Sequence, residues 1–375
     1  MVAPAYDHLT ALVFACVLFV SGAVAVPAIS YLNLLYVDQQ QLRNVALEVL
    51  NSMLFDIGCP SNWGSSNPFN ESGVAKFGLA LSGSSSFYIL DPDKVQCLVA
   101  GNPSGSLDYE TVRTLLGLQD YGFNIKIVPP FNVHTRDKSE IPNLLFELNA
   151  TFRNGNPIPN AHVEATILYV KGKSGYFTAE TENYTNCLGK CTIEKELSLD
   201  ATDYVVVLKV SVANLATVTS TFMEGFEQHT MNASIVGENI TIAIPEGPGW
   251  EKDSAGVRWI QSVLVVNEFG VWPIYSGSKS NEDKITWGGA YWGWSRLFTG
   301  LSYYNPLFVI FNIDAPNPRR LVLFVGPYTT AMGYRVFNFG GFPAPSSSGA
   351  ALKLERTVEI AGMPYIFELL LWKEA

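Results

Sequence analysis

Four histidines, His8, His134, His162 and His229, are all that the chain offers for imidazole chemistry, and no two of them stand one helical turn apart. A helical zinc site needs such a pair with an acid beside it, so no metal ligand is assigned. Gly172-Lys173-Ser174 reproduces the end of a phosphate-binding loop, yet Ile167 stands where the first glycine of that loop is required, and the segment reads as a hairpin turn. Ser276 and Lys279 satisfy the S-x-x-K spacing of acyl-transfer enzymes without the K-T-G element that completes it, which leaves a polar loop. Asp91 and Asp93 offer two carboxylates where calcium needs six to eight oxygens, so they read as the turn before a helix. A hydrolase would have to gather acids such as Glu251, Asp253 and Glu268 through the fold, because paired carboxylates need no local spacing. No catalytic residue and no cofactor is assigned.

Two other sets of residues carry chemistry of a different kind. Cys59 with Cys97, and Cys187 with Cys191 across Leu188-Gly189-Lys190, are candidate disulfides by proximity; reduced, buried thiols are the alternative. N-x-Ser/Thr sequons stand at Asn70, Asn149, Asn183, Asn232 and Asn239, compatible with a glycosylated surface protein. Trp287, Tyr291, Trp292 and Trp294 form a Gly-interrupted aromatic cluster. Such rings stack on sugars or anchor a protein partner when exposed, and fill a core when not.

The elements that would position these groups begin with an uncharged run over 9–37, following a tail over 1–8. Its length suits a transmembrane helix that would bind membrane lipid and continue to about residue 56. Ala23-Val24-Ala25 also fits a signal-peptidase site, which makes a cleaved secretory signal the competing reading. From Leu42 to Leu54 the apolar residues recur at helical spacing, so one stripe of this helix must face a folded partner. A small α+β head is expected over 57–128, and the prolines and charges of 129–143 read as a linker. Short strands at 144–151, 163–170, 192–197, 204–212 and 216–223 predict a β-sandwich over 144–238. An aromatic-rich β domain over 239–375 would follow, holding seven of the eight tryptophans.

Two resemblances come from these segments. Tyr36-Val37-Asp38-Gln39-Gln40-Gln41-Leu42-Arg43-Asn44, Pro60-Ser61-Asn62-Trp63-Gly64 and Leu90-Asp91-Pro92-Asp93-Lys94-Val95, with Leu115-Leu116-Gly117-Leu118 and Tyr121-Gly122-Phe123, resemble uncharacterised archaeal membrane-anchored proteins of type IV pilin-like outline. The resemblance implies an extracytoplasmic head carried by an N-terminal hydrophobic helix, although no Lys/Arg-Gly processing site precedes the run. The stretches 154–163 and 187–193 look like the turns and strands of Ig-like or carboxypeptidase-regulatory-like sandwiches, a likeness that speaks to fold and not to function.

Composition narrows the function classes. A chain with 48% hydrophobic, 13% aromatic and only 15% charged residues builds packed cores, and its net charge of -10 argues against nucleic acid as a partner. The expectation is therefore a non-enzymatic, single-pass surface protein with its C-terminal portion outside the cell. Its partners would be a surface-layer protein, a glycan or further copies of itself. A pilin-like filament subunit and a secreted or anchored hydrolase are the alternatives.

Overall fold

The computed structural model describes residues 3–66, 68–99, 102, 104–171, 175–222, 231–245, 259–288, 291–314, 320–325, 337–343 and 351–374. The first part comprises helix α1 (Ala3–Phe55), strand β1 (Ile89–Leu90), helices α2 (Pro92–Gln96) and α3 (Tyr109–Leu115), and strand β2 (Tyr121–Val128). Next come β3 (Phe131–Asp137), β4 (Asn143–Phe152), β5 (His162–Lys171), β6 (Tyr176–Tyr184), β7 (Lys190–Glu196), β8 (Ala201–Val212) and β9 (Leu215–Phe222). Then β10 (Met231–Val236), β11 (Asn239–Pro245), β12 (Trp259–Asn267), β13 (Gly270–Ser276), β14 (Thr286–Gly288), β15 (Tyr291–Leu297), β16 (Phe308–Asp314) and β17 (Arg320–Val325) follow. The last elements are β18 (Phe337–Gly340), β19 (Ala351–Ile360) and β20 (Met363–Lys373).

In α1, Leu42, Ala46, Val49, Leu50, Met53 and Leu54 are buried, the stripe that the helical spacing demands. The helix stops where the Asp56 carboxylate accepts from the Gly58 amide (2.8 Å) and Gly58 turns to φ 73°, a conformation glycine adopts without a Cβ penalty. Among the described residues no helix is long and apolar enough to cross a membrane. The transmembrane helix expected over 9–37 is overturned on that finding, and with it the fold class that began from a membrane span.

The C-terminal end of α1 lies against a five-stranded sheet of order β1-β19-β20-β2-β18. Strand β2 pairs antiparallel with β20 from Tyr121↔Lys373 to Val128↔Ile366, and with β18 from Ile127↔Phe337 to Asn124↔Gly340. The head is thus closed by strands more than 200 residues apart in sequence, and everything between β2 and β18 is an insertion. Sequence boundaries that run a separate domain over 239–375 are corrected accordingly: β19 and β20 belong to the head. So is the linker over 129–143, within which Phe131–Asp137 form β3.

Alternate side chains of β20, Met363, Tyr365, Phe367, Leu369 and Leu371, join the α1 stripe in one core. Gly122 lies beside the Trp372 indole, where a Cβ would overlap ring carbons. Gly122→Ala is expected to cost about 1–3 kcal/mol through overpacking, read as a lower urea midpoint at unchanged slope.

The insertion opens with a seven-stranded sandwich: β3-β4-β7 faces β6-β5-β8-β9, all antiparallel. Phe131, Phe146, Leu148, Ile193, Val206 and Leu208 fill its interior. Along β8 and the C-terminal part of β5 the larger sheet is buried on both faces, because Leu168, Val170, Val205 and Val207, alternating with those inward residues, join the core shared with the head, while β6 stays largely exposed. This explains the unbroken apolar run Tyr204-Val205-Val206-Val207-Leu208 in β8, where a half-exposed strand would alternate with polar residues.

The remaining strands form an eight-stranded sheet of order β13-β12-β16-β17-β10-β11-β15-β14. Its β12 divides its side chains in the same way, Val263 and Val265 to one core, Leu264 and Val266 to the other. A polar seam ties this sheet to α2. The buried Gln96 amide accepts from the Ile235 amide (3.1 Å) and donates to the Ile235 carbonyl, Ser104 and Ser234 share a hydrogen bond, and Asp93 accepts from the Gly237 amide (3.1 Å). Burial, followed by the neighbouring Asp91 charge, pushes the Asp93 carboxyl up to about 7. Next to it Lys94 is completely buried, its ammonium donating to the Ile57 (3.0 Å) and Ala80 (2.9 Å) carbonyls and pairing with Asp91 (3.3 Å).

Candidate binding groove

One face of the sandwich is left open. Phe131 and Val133 of β3, and the alternate residues of β4 and β7 in register with them, face the core, so strict alternation puts His134 and Arg136, Glu147 and Asn149, and Lys190 and Thr192 on the outer face of the small sheet. Register then sets them in two rows, His134–Asn149–Lys190 and Arg136–Glu147–Thr192. These residues, with Asn186 from the β6–β7 turn, line an open cavity of about 420 Å³.

The turn is preorganised. Asn186 accepts from the amides of Leu188 (2.9 Å) and Lys190 (3.1 Å), and Gly189 at φ 72° approaches the Ala150 carbonyl so closely that a Cβ would overlap it. A β-branched side chain at 189 would therefore displace Lys190 and the Asn186 loop from the groove.

The charges are unequal. Glu147 pairs with Lys138 (2.5 Å), and that hydrogen bond, with the Lys138, Arg136 and Lys190 charges, holds its carboxyl below the usual range. Three cations, Arg136, Lys138 and Lys190, surround a single carboxylate on a chain whose net charge is -10. What this arrangement can do is bind: it offers hydrogen-bond donors and positive charge on a rigid sheet. Read from sequence, His134 and Arg136 fall in a linker and Asn149 is only a sequon, although the apolar–polar alternation Phe131-Asn132-Val133-His134 carries the signal of an edge strand.

The residues singled out from sequence are scattered. Trp294 is 5% exposed, its indole donates to the Glu282 carbonyl (2.9 Å), and its ring packs at a tilt on Phe298 and edge-on against Phe311, so it is a core residue and leaves the aromatic surface. Trp287 faces Trp292, and Gly288 faces Tyr291, in the β14–β15 register; the side chains of Trp287, Tyr291 and Trp292 lie outside the described residues.

All the candidate disulfide cysteines are free thiols. Cys97 points into the head core and Cys191 into the sandwich core, where burial pushes their thiols up to about 12 and about 11, while Cys59 and Cys187 face solvent. The inward and outward orientations are what separate each expected pair.

Asn70 and Asn183 are exposed, Asn149 and Asn239 half-buried, and the Asn232 side chain is outside the described residues. The Ser72 hydroxyl of the first sequon donates to the Asn70 side chain (2.8 Å).

Asp91 caps α2 by accepting from the Asp93 amide (3.0 Å), as its place before a helix requires. Ser276 and Lys279 flank a turn organised by buried Asp283, which accepts from the Ser278 (3.0 Å) and Ser280 (2.7 Å) amides. The 172–174 turn, Glu251 and Asp253 lie outside the described residues, whereas Glu268 lies against Gly362, its carboxyl raised by burial. Among the described residues no group of three or more His, Cys, Asp or Glu could hold a metal ion.

No protein-family profile matches the chain, and no curated protein matches it. Among solved structures it is similar to trypsin-activated alpha-2-macroglobulin from Escherichia coli, at 9% identity and a TM-score of 0.22, covering 64% of this chain and 20% of that one. A likeness of that strength carries no argument. The chain itself is mainly β with several sheets, compatible with a β-sandwich multidomain protein.

Proposed function

We propose that the chain is a non-enzymatic cell-surface protein, structural or adhesive, that meets a partner outside the cell through the open face of its sandwich. The observation that carries this reading is the asymmetry of the sandwich: the larger sheet packs the outer face of β8 into the core shared with the head, and the smaller presents a polar, cation-rich groove to solvent. The exposed sequons at Asn70 and Asn183 are compatible with an extracytoplasmic location, as is the resemblance to archaeal surface proteins. Protease treatment of intact cells tests it. Loss of the chain from intact cells is the expected result; protection until the cells are lysed would reject the location.

A pilin-like subunit that assembles through α1 is a second reading, favoured by one observation. Leu12, Phe14, Leu18 and Phe19 are 67%, 71%, 69% and 79% exposed, a far larger apolar surface than a lone helix leaves in water. Sedimentation of the full chain at rising concentration should then show growing assemblies that shrink when Phe14 and Phe19 are changed to serine. A monomer at all concentrations would dismiss it.

A further inference from the structure

We propose that the groove on β3, β4 and β7 is a subsite for an acidic polysaccharide, one whose carboxylate-bearing sugars alternate with neutral ones. The inference deepens the surface-protein reading and rests on it only for where the ligand is met.

Three features select this ligand. First, the chain as a whole is strongly acidic while the groove is not, so a bulky acidic partner would be repelled by the surrounding surface, whereas a single thin strand feels chiefly the local cations. Second, the groove's lining holds no Phe, Tyr or Trp, the large anchors that protein–protein contacts depend on, but does supply the amides of Asn149 and Asn186 and the hydroxyl of Thr192 for sugar hydroxyls.

Third, the cations are spaced. Arg136 and Lys190 sit two strands apart, about 10 Å across the sheet, and two residues apart along it, about 7 Å, on the scale of one to two sugar rings. Arg136 presents the planar fork that grips a carboxylate in two places. Glu147 lies between Arg136 and Thr192 in its row and stays ionised, so a negative group directly over it is repelled and a neutral ring, giving it a hydroxyl, is preferred. That is the reason for alternation along the ligand.

The test is binding of the full chain to immobilised hyaluronate, whose carboxylates alternate, beside neutral dextran and poly-L-glutamate. Hyaluronate should bind, with affinity falling as salt rises, and the other two should bind at least ~10-fold more weakly. Arg136→Ala with Lys190→Ala should weaken hyaluronate binding ~10-fold at an unchanged melting temperature, the sum of two exposed ion pairs. Glu147→Gln should strengthen binding and let a polymer charged on every ring, polygalacturonate, bind as well as hyaluronate.

Equal binding of dextran would overturn the role of charge. Equal binding of poly-L-glutamate would reassign the groove to acidic polypeptides, and hyaluronate binding indifferent to the double variant would place the ligand elsewhere. A chain removed from intact cells by protease that fails to bind rejects the ligand alone, while one that binds yet is protected rejects the location alone.

Discussion

Lys94→Met is expected to lower the unfolding free energy by about 3–5 kcal/mol, the cost of leaving a buried charge without its partner. Lys94 has no exposed surface, and its ammonium is the counter-charge to Asp91, whose side chain is only 11% exposed. Removing the cation strands that carboxylate and also strips the Ile57 and Ala80 carbonyls of their donor. The loss falls where α1 ends and α2 begins, so head and helix should come apart together in urea followed by circular dichroism. Adding Asp91→Asn to Lys94→Met should recover part of the loss, because the amide still caps α2 without a charge. A single variant within 1 kcal/mol of the parent would show that the pair is not what secures this junction.

The second large effect depends on pH. Asp93 is raised from its usual 3.8 to about 7 by burial first and by Asp91 second, so the fold favours its protonated form. A group raised in this sense contributes stability that is complete below the unfolded value and is lost as pH climbs through the folded one. Between about pH 4 and pH 7 the parent should therefore lose on the order of 2–4 kcal/mol from this residue. Asp56, Asp283 and Glu355, whose carboxyls are held low, act in the opposite direction as pH falls. The clean readout is the difference between parent and Asp93→Asn, whose amide oxygen can still accept from the Gly237 amide. The variant should gain on the parent steadily up to pH 7 and run parallel to it above. Parallel curves over the whole range would mean that the seam leaves Asp93 hydrated.

What was legible in the sequence was local. The strands expected at 163–170 and 204–212 appear as β5 and β8, because β-branched residues and flanking turns are written into those few residues. The helical stripe from Leu42 to Leu54 is likewise a local period.

Pairing partners were not legible. Nothing in 121–128 says that it lies against 363–373, since a period of two fixes which face is buried and not whose strand lies alongside. Edge strand β3 hid behind Pro129-Pro130 and its own charges, the very features that keep an edge from pairing further. The groove was missed for the same reason: its residues are distant in sequence and meet only through register. Trp294 shows the converse, an aromatic cluster that composition presents as a surface while packing consigns the residue to a core.

The insertion gives the molecule a mechanical character. Its two ends leave the head at β2 and β18, neighbours joined at Ile127 and Phe337, so tension on the sandwich reaches the head along two adjacent strands at once. Strand β2 resists it through a ladder to β20 that runs from Tyr121 to Val128, with hydrogen bonds lying across the direction of pull and loaded together, not one by one. A sandwich held by a bound strand outside would thus drag on a shear joint, and the joint would hold until all of its rungs gave way in one step.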